Sequence, residues 1–169
     1  GTLVVLLQRL ARHLYASLRP ARRLLDAAGQ AQIQGEIEAA ERTHAGEIRV
    51  TIEASLTLRQ LWRQLGPRAR ALEVFATLGV WDTARNNGVL IYVLLADRAI
   101  EIVADRGIAE CVPAAQWEAL CTEVSERFRQ GELASGCCMA VRSVAQRMAR
   151  FFPSSGGDGN ELPNQPVLL

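Results

Sequence analysis

Lysine is absent from this chain; all 19 basic residues are arginine. That bias reads as a GC-rich genome rather than a functional demand for the guanidinium fork, although arginine would suit one. Cysteine is scarce. Cys111, Cys121, Cys137 and Cys138 show no Cys-x-x-Cys spacing, which excludes the usual zinc and redox frameworks. Reduced, buried thiols in a reducing compartment fit them. Long apolar runs are also lacking. No stretch approaches the length of a membrane span, and Leu3 to Leu7 is too short for the core of a secretory signal. The expectation is a protein cytoplasmic or peripheral to a membrane, with no signal peptide or transmembrane span visible. The two histidines, His13 and His44, belong to no evident Ser-His-Asp set, and no glycine-rich phosphate loop is present. His44, in the last turn of a helix, reads as a cap favoured by the dipole. Net charge is +1, so bulk charge suggests neither nucleic acid nor an acidic ligand as partner.

What is present is a well-supplied core: 49% of 169 residues are hydrophobic, which suits one domain. Charge is uneven along the chain. Residues 1–25 hold Arg9, Arg12, Arg19, Arg22 and Arg23 and no acid. Leu3, Leu6, Leu7, Leu10, Leu14 and Leu18 recur there at helical spacing, and Arg19-Pro20 ends the run. Residues 1–25 therefore read as a basic amphipathic helix. Its apolar stripe would cover a sheet with its arginines solvated, or it would contact an anionic membrane surface or a protein partner. Residues 26–152 read as the α/β domain and 153–169 as an irregular tail, whose Val167-Leu168-Leu169 either docks on a partner or stays disordered.

Within the domain, residues 30–43 read as a helix with Ile33, Ile37 and Ala40 inward. Ile48 to Ala54 alternates strictly, a strand whose other face carries Arg49, Thr51 and Glu53 and should be wetter. A helical region over 58–78 breaks at Gly66-Pro67, with Ala69, Leu72, Phe75 and Ala76 inward in its second part. Val89 to Ala96 is apolar throughout, a central strand covered on both faces. Ile100 to Ala104 suits an edge strand. Two helices follow, one with Trp117, Leu120, Cys121, Val124 and Phe128 inward, the other with Cys137, Val141, Val144, Met148 and Phe151. The expected fold is a three-layer α/β/α sandwich around a small mixed sheet of at least three strands, a parallel pair plus an antiparallel edge hairpin.

The most informative stretch runs from Trp81 to Gly107. A polar turn feeds the apolar strand, Asp97-Arg98 reverses it, and a second strand returns. In simple register, facing residues have numbers summing to about 195. Asp105 and Arg106 then come home beside Asn86, Asn87 and Gly88, with Glu47 at the same end. Asp82, Asn86, Asn87, Asp105 and Glu47 could together offer the oxygens that a hard cation such as calcium takes. The plainer reading is a turn, since Asn and Gly tolerate positive φ, with Asp82 paired to Arg85 and Asp105 to Arg106.

Gly46-Glu47-Ile48, Leu78-Gly79-Val80, Asn86-Asn87-Gly88-Val89-Leu90, the Asp97-Arg98 turn and Arg106-Gly107-Ile108 together resemble the TPM domain, over roughly residues 30–150. The resemblance implies an α/β/α sandwich. Family members include acid phosphatases, calcium binders and accessory factors of photosystem repair or receptor function, so it implies no single activity. Two departures stand out. The Asp-x-Ala-Gly-type motif of many members is not matched by Tyr15-Ala16-Ser17-Leu18-Arg19. Asp105-Arg106-Gly107 stands where relatives often have Gly-Tyr-Gly.

Cys121 to Arg127 has the Cys-x5-Arg spacing of thiol phosphatases, but it falls within a helix, with Glu123 and Glu126 intervening. That chemistry needs a loop whose amides cradle phosphate. The first functional expectation, implied by the resemblance, is a TPM-like accessory or adaptor module, with or without calcium binding, and without strong catalysis of its own. The alternative is a metal-dependent acid phosphatase with Asp82 and Asp105 as its catalytic carboxylates.

Overall fold

The computed structural model describes residues 1–18, 25–154 and 165–169. One four-stranded mixed sheet runs in the order β3-β2-β1-β4. Its strands are β1 (Glu47–Glu53), β2 (Gly88–Leu94), β3 (Ala99–Ala104) and β4 (Val167–Leu168). β1 is parallel to β2 and β4, and β3 returns antiparallel to β2. The parallel pair, the central β2 and the edge position of β3 agree with the strand patterns. β4 lies in the stretch read as an irregular tail. Val167 and Leu168 pair with Thr51 and Ile52, so this segment extends its own sheet.

The helices are α1 (Thr2–Ser17), α2 (Ala27–Glu41), α3 (Leu58–Trp62), α4 (Pro67–Thr77), α5 (Arg106–Ala109), α6 (Ala114–Arg129) and α7 (Leu133–Phe151). Alternation along the strands divides the core in two. Ile48, Val50 and Ile52 of β1 and Val89, Ile91 and Val93 of β2 meet Ile33 and Ile37 of α2, Val124 of α6 and Val144 of α7. On the opposite face Leu90, Tyr92 and Leu94 meet Ala71 and Val74 of α4. Helices on both faces make the three-layer sandwich. The helix stop at Arg19-Pro20, Arg22, Arg23 and residues 155–164 lie outside the described residues.

Four packing expectations are corrected. The second face of β1 is not wet, for Thr51 and Glu53 are buried. α4 turns Ala71 and Val74 inward, leaving Ala69, Leu72 and Ala76 exposed. This rotation lets Arg70 reach Glu53, with Nε 2.8 Å and Nη2 3.1 Å from its carboxylate, while the Tyr92 hydroxyl donates to Oε1 at 2.7 Å. A buried carboxylate persists only with such partners. At the end of α7, Phe152 is buried and Phe151 exposed.

The fourth correction concerns α1. Leu3, Leu7, Leu14 and Leu18, the stripe expected to cover the sheet, are exposed. Leu10 instead packs on the second core, and Arg9 and Arg12 both turn to Asp97, Arg12 remaining half exposed. Arg9 donates to Asp97 Oδ2 from Nε and Nη2, Arg12 Nη2 donates to Oδ1 at 3.1 Å, and His13 Nε2 lies 2.9 Å from Oδ1. The polar edge of the helix thus chose its docking face. An ion-paired, hydrogen-bonded Asp97 half in the interior needs those donors more than the leucines need cover.

Among the described residues no helix is long and apolar enough to cross a membrane.

Candidate functional site

The site begins with a backbone row. Gly88, the first residue of β2, faces Glu47 in β1, and its carbonyl accepts from Asp105 N at 2.9 Å. Residues in such a row project to the same face of a sheet. Two carboxylates therefore bracket a residue that has no side chain. Gly88 must be glycine, because a Cβ there would collide with the carbonyl oxygen of Val80. In the hairpin Val89 faces Ala104 and Leu94 faces Ala99, so facing numbers sum to 193. The offset from the simple register is even, which preserves every face, and Asp105 does return beside the amide-rich bend.

The bend is built from its own hydrogen bonds. Asn86 has φ 53°, the left-handed region that asparagine tolerates. Its carbonyl accepts from Gly107 N at 2.8 Å. A Cβ on Gly107 would come within 2.6 Å of the Arg85 and Asn86 carbonyl oxygens, so the turn after Asp105 lies tight against the bend. Asn87 is 1% exposed. Its amide N–H donates to Thr83 Oγ1 at 3.1 Å, its Nδ2 donates to Ala45 O at 3.1 Å, and its carbonyl accepts from Glu47 N at 3.2 Å. Thr83, buried beneath the bend, carries no signal in the sequence beyond its place in the loop.

Asp105 caps α5, with Oδ1 accepting from Arg106 N at 2.8 Å. It therefore partners the Arg106 amide rather than the guanidinium. Two oxygens remain. Asn87 Oδ1 and Asp105 Oδ2 are buried and have no hydrogen-bond partner among the described residues. Buried polar atoms are seldom left this way. Asp82 is exposed in the loop ahead of the bend, and Arg85 lies over the Phe152 ring at 5.0 Å rather than on Asp82. Glu47 is 4% exposed. Among the described residues no three Asp, Glu, His or Cys side chains gather to hold a metal ion. A cation at this rim would depend on one or two carboxylates with amide and backbone oxygens.

His44 is the neighbour that the sequence reading misassigned. It is buried, and its Nδ1 accepts from Gly46 N at 3.0 Å. Burial pulls its pKa down to about 4, so the ring is neutral and is no charged helix cap. A Cβ at Gly46 would lie 3.0 Å from Asn87 O and 3.6 Å from His44 Nδ1, which puts the histidine beside the rim. Cys121 sits within α6, and burial pushes its thiol up to about 12, as suits an inert core cysteine.

A family model for the TPM domain matches residues 20–147. Among solved structures, the chain is similar to the BA42 protein of the psychrophilic bacterium Bizionia argentinensis. The two share 31% identity and a TM-score of 0.74 over 85% of this chain and 94% of that one. The N-terminal domain of a protein from P. gingivalis shares the fold, with 22% identity and a TM-score of 0.59 over 73% of this chain and 76% of that domain. No curated protein matches the chain.

Proposed function

This chain belongs to the TPM domain family, and on that premise we propose that it is an accessory module that binds calcium at the rim around Gly88 and has no strong catalysis of its own. The observation that carries the reading is Asp105 Oδ2, buried and without a hydrogen-bond partner among the described residues, on the face that Asp105 shares with Glu47. Calcium accepts carboxylate, amide and backbone oxygens in flexible geometry, so this donor set fits it better than zinc or copper. With one or two carboxylates its affinity belongs in the weak class of calcium modules, about 10⁻⁴–10⁻³ M. Asp105 would hold the ion on the face it shares with Glu47, with backbone oxygens of the bend completing the set. Bound there, calcium would tie the end of β2 to the start of α5.

The accessory role draws on α1. Leu3, Val4, Leu7 and Leu14 are exposed along one helix, an apolar surface of the kind that takes a partner. Isothermal titration of chelator-treated protein with calcium, beside an aryl-phosphate assay in calcium, magnesium or chelator, tests the reading. Saturable calcium binding without turnover supports it. Turnover abolished by Asp82→Asn or Asp105→Asn, with the fold intact, replaces it with the phosphatase alternative.

A further inference from the structure

At the far end of β2 from Asn87, a cavity of about 480 Å³ opens between α1, the β2–β3 turn and the loop joining α6 to α7. Its size falls in the range of small-molecule sites. It lies where β1 and β2 end, for Ala96 N donates to Ala54 O at 3.0 Å just beyond the two strands. The carboxyl ends of parallel strands are where open α/β sheets leave a crevice.

The lining divides by chemistry. Leu95, Phe128 and Leu133 supply an apolar wall, and Arg12 and Arg98 supply guanidinium groups. Asp97 also lines it, but both of its oxygens are occupied by Arg9, Arg12 and His13. Its charge is thus spent within the cluster, and Arg12 commits one of its five N–H groups to it. Arg98 is exposed and makes no ion pair among the described residues. It also holds φ 48°, the left-handed region that an ordinary residue adopts only at a cost. Glycine or asparagine would relieve that cost. Such strain is kept where a side chain is needed in place, as at ligand clamps.

We propose that this cavity binds an amphipathic monocarboxylate, a medium-chain acyl anion, with its head at Arg98 and Arg12 and its chain along Leu95, Phe128 and Leu133. The site is independent of calcium and lies at the opposite end of the sheet from the rim.

The test is isothermal titration of the full chain with sodium decanoate below its micellar concentration, beside acetate, which has no chain, and decanol, which has no charge. Saturable decanoate binding is expected, with acetate and decanol each about tenfold weaker or worse. Arg98→Gly should weaken decanoate by about tenfold while leaving the unliganded melting temperature within about 2 °C, because glycine accepts the turn. Absence of decanoate binding overturns the proposal. So does decanol or acetate binding as tightly as decanoate, or an Arg98→Gly protein that binds decanoate as the wild type does.

Discussion

His13 and Asp97, 84 positions apart, meet at 2.9 Å where the N-terminal helix crosses the β2–β3 turn. The other ring nitrogen, Nδ1, accepts from Leu56 N at 2.9 Å, so the proton sits on Nε2 and is donated to Asp97. One imidazole therefore ties α1 to the turn and to the end of β1. Burial pushes the Asp97 carboxyl up, but hydrogen bonds from His13, Arg9 and Arg12 outweigh it and hold the group well below the ordinary carboxylate range.

Asp97→Asn should cost about 2 kcal/mol and raise hydrogen exchange across residues 2–17 before the rest of the protein opens. The sign with pH follows. A depressed carboxyl stabilises the fold above its ordinary value of 3.8 and loses that contribution as pH falls below it. Wild type should lose stability through this range more steeply than Asp97→Asn in acid-dependent denaturant melts.

Glu53 sets up a second comparison. Tyr92→Phe removes one donor and should cost about 1 kcal/mol, because Arg70 still satisfies the carboxylate. Glu53→Ala leaves the Arg70 charge and the Tyr92 hydroxyl facing the core and should cost about 3 kcal/mol or more. Urea midpoints measure both, and equal losses would dissolve the network into independent contacts.

His44 should make folding sensitive to mild acid. Its folded pKa lies at about 4 against an ordinary 6.5, so the unfolded chain takes up a proton first as pH falls. Stability is full above about pH 6.5 and declines by up to about 3 kcal/mol down to pH 4. His44→Asn keeps an acceptor for Gly46 N and removes the titration. Melting temperatures from pH 7 to 4 should fall in the wild type and flatten in this variant.

Gly88→Ala tests the closeness of the rim. Its Cβ would meet the backbone of Val80, which has little freedom to give way, so a loss of about 2–3 kcal/mol in chemical denaturation is expected.

The sheet was legible because its signals are local. Strict alternation from Ile48 to Ala54, an unbroken apolar run after Gly88 and a tight Asp97-Arg98 turn set strand type and pairing, while the hairpin register shifted by two. The meeting of Asp105 with the Asn86–Gly88 bend held because that shift is even and keeps every face. What escaped were choices made between distant elements. The leucine stripe of α1 looked like a buried face, and only the position of Asp97 shows why the helix rolled toward Arg9 and His13 instead. Arg49, Thr51 and Glu53 read as a wet face because nothing local announces that Arg70 and Tyr92 will satisfy Glu53. Val167 and Leu168 were too few to signal a strand without the open edge of β1 beside them. At the rim, the sequence could list oxygen donors but not foretell that Asp105 Oδ1 would cap α5 while Oδ2 stayed unpartnered.

The most direct test of the rim as a calcium site is a thermal melt in chelator and in millimolar calcium, for the wild type and for Asp105→Asn. Asparagine preserves the cap on Arg106 N and removes the charge. A calcium-dependent rise of about 5 °C is expected in the wild type, shrinking to near zero in Asp105→Asn. A wild type that melts at the same temperature with and without calcium, or a rise undiminished by the substitution, would contradict it.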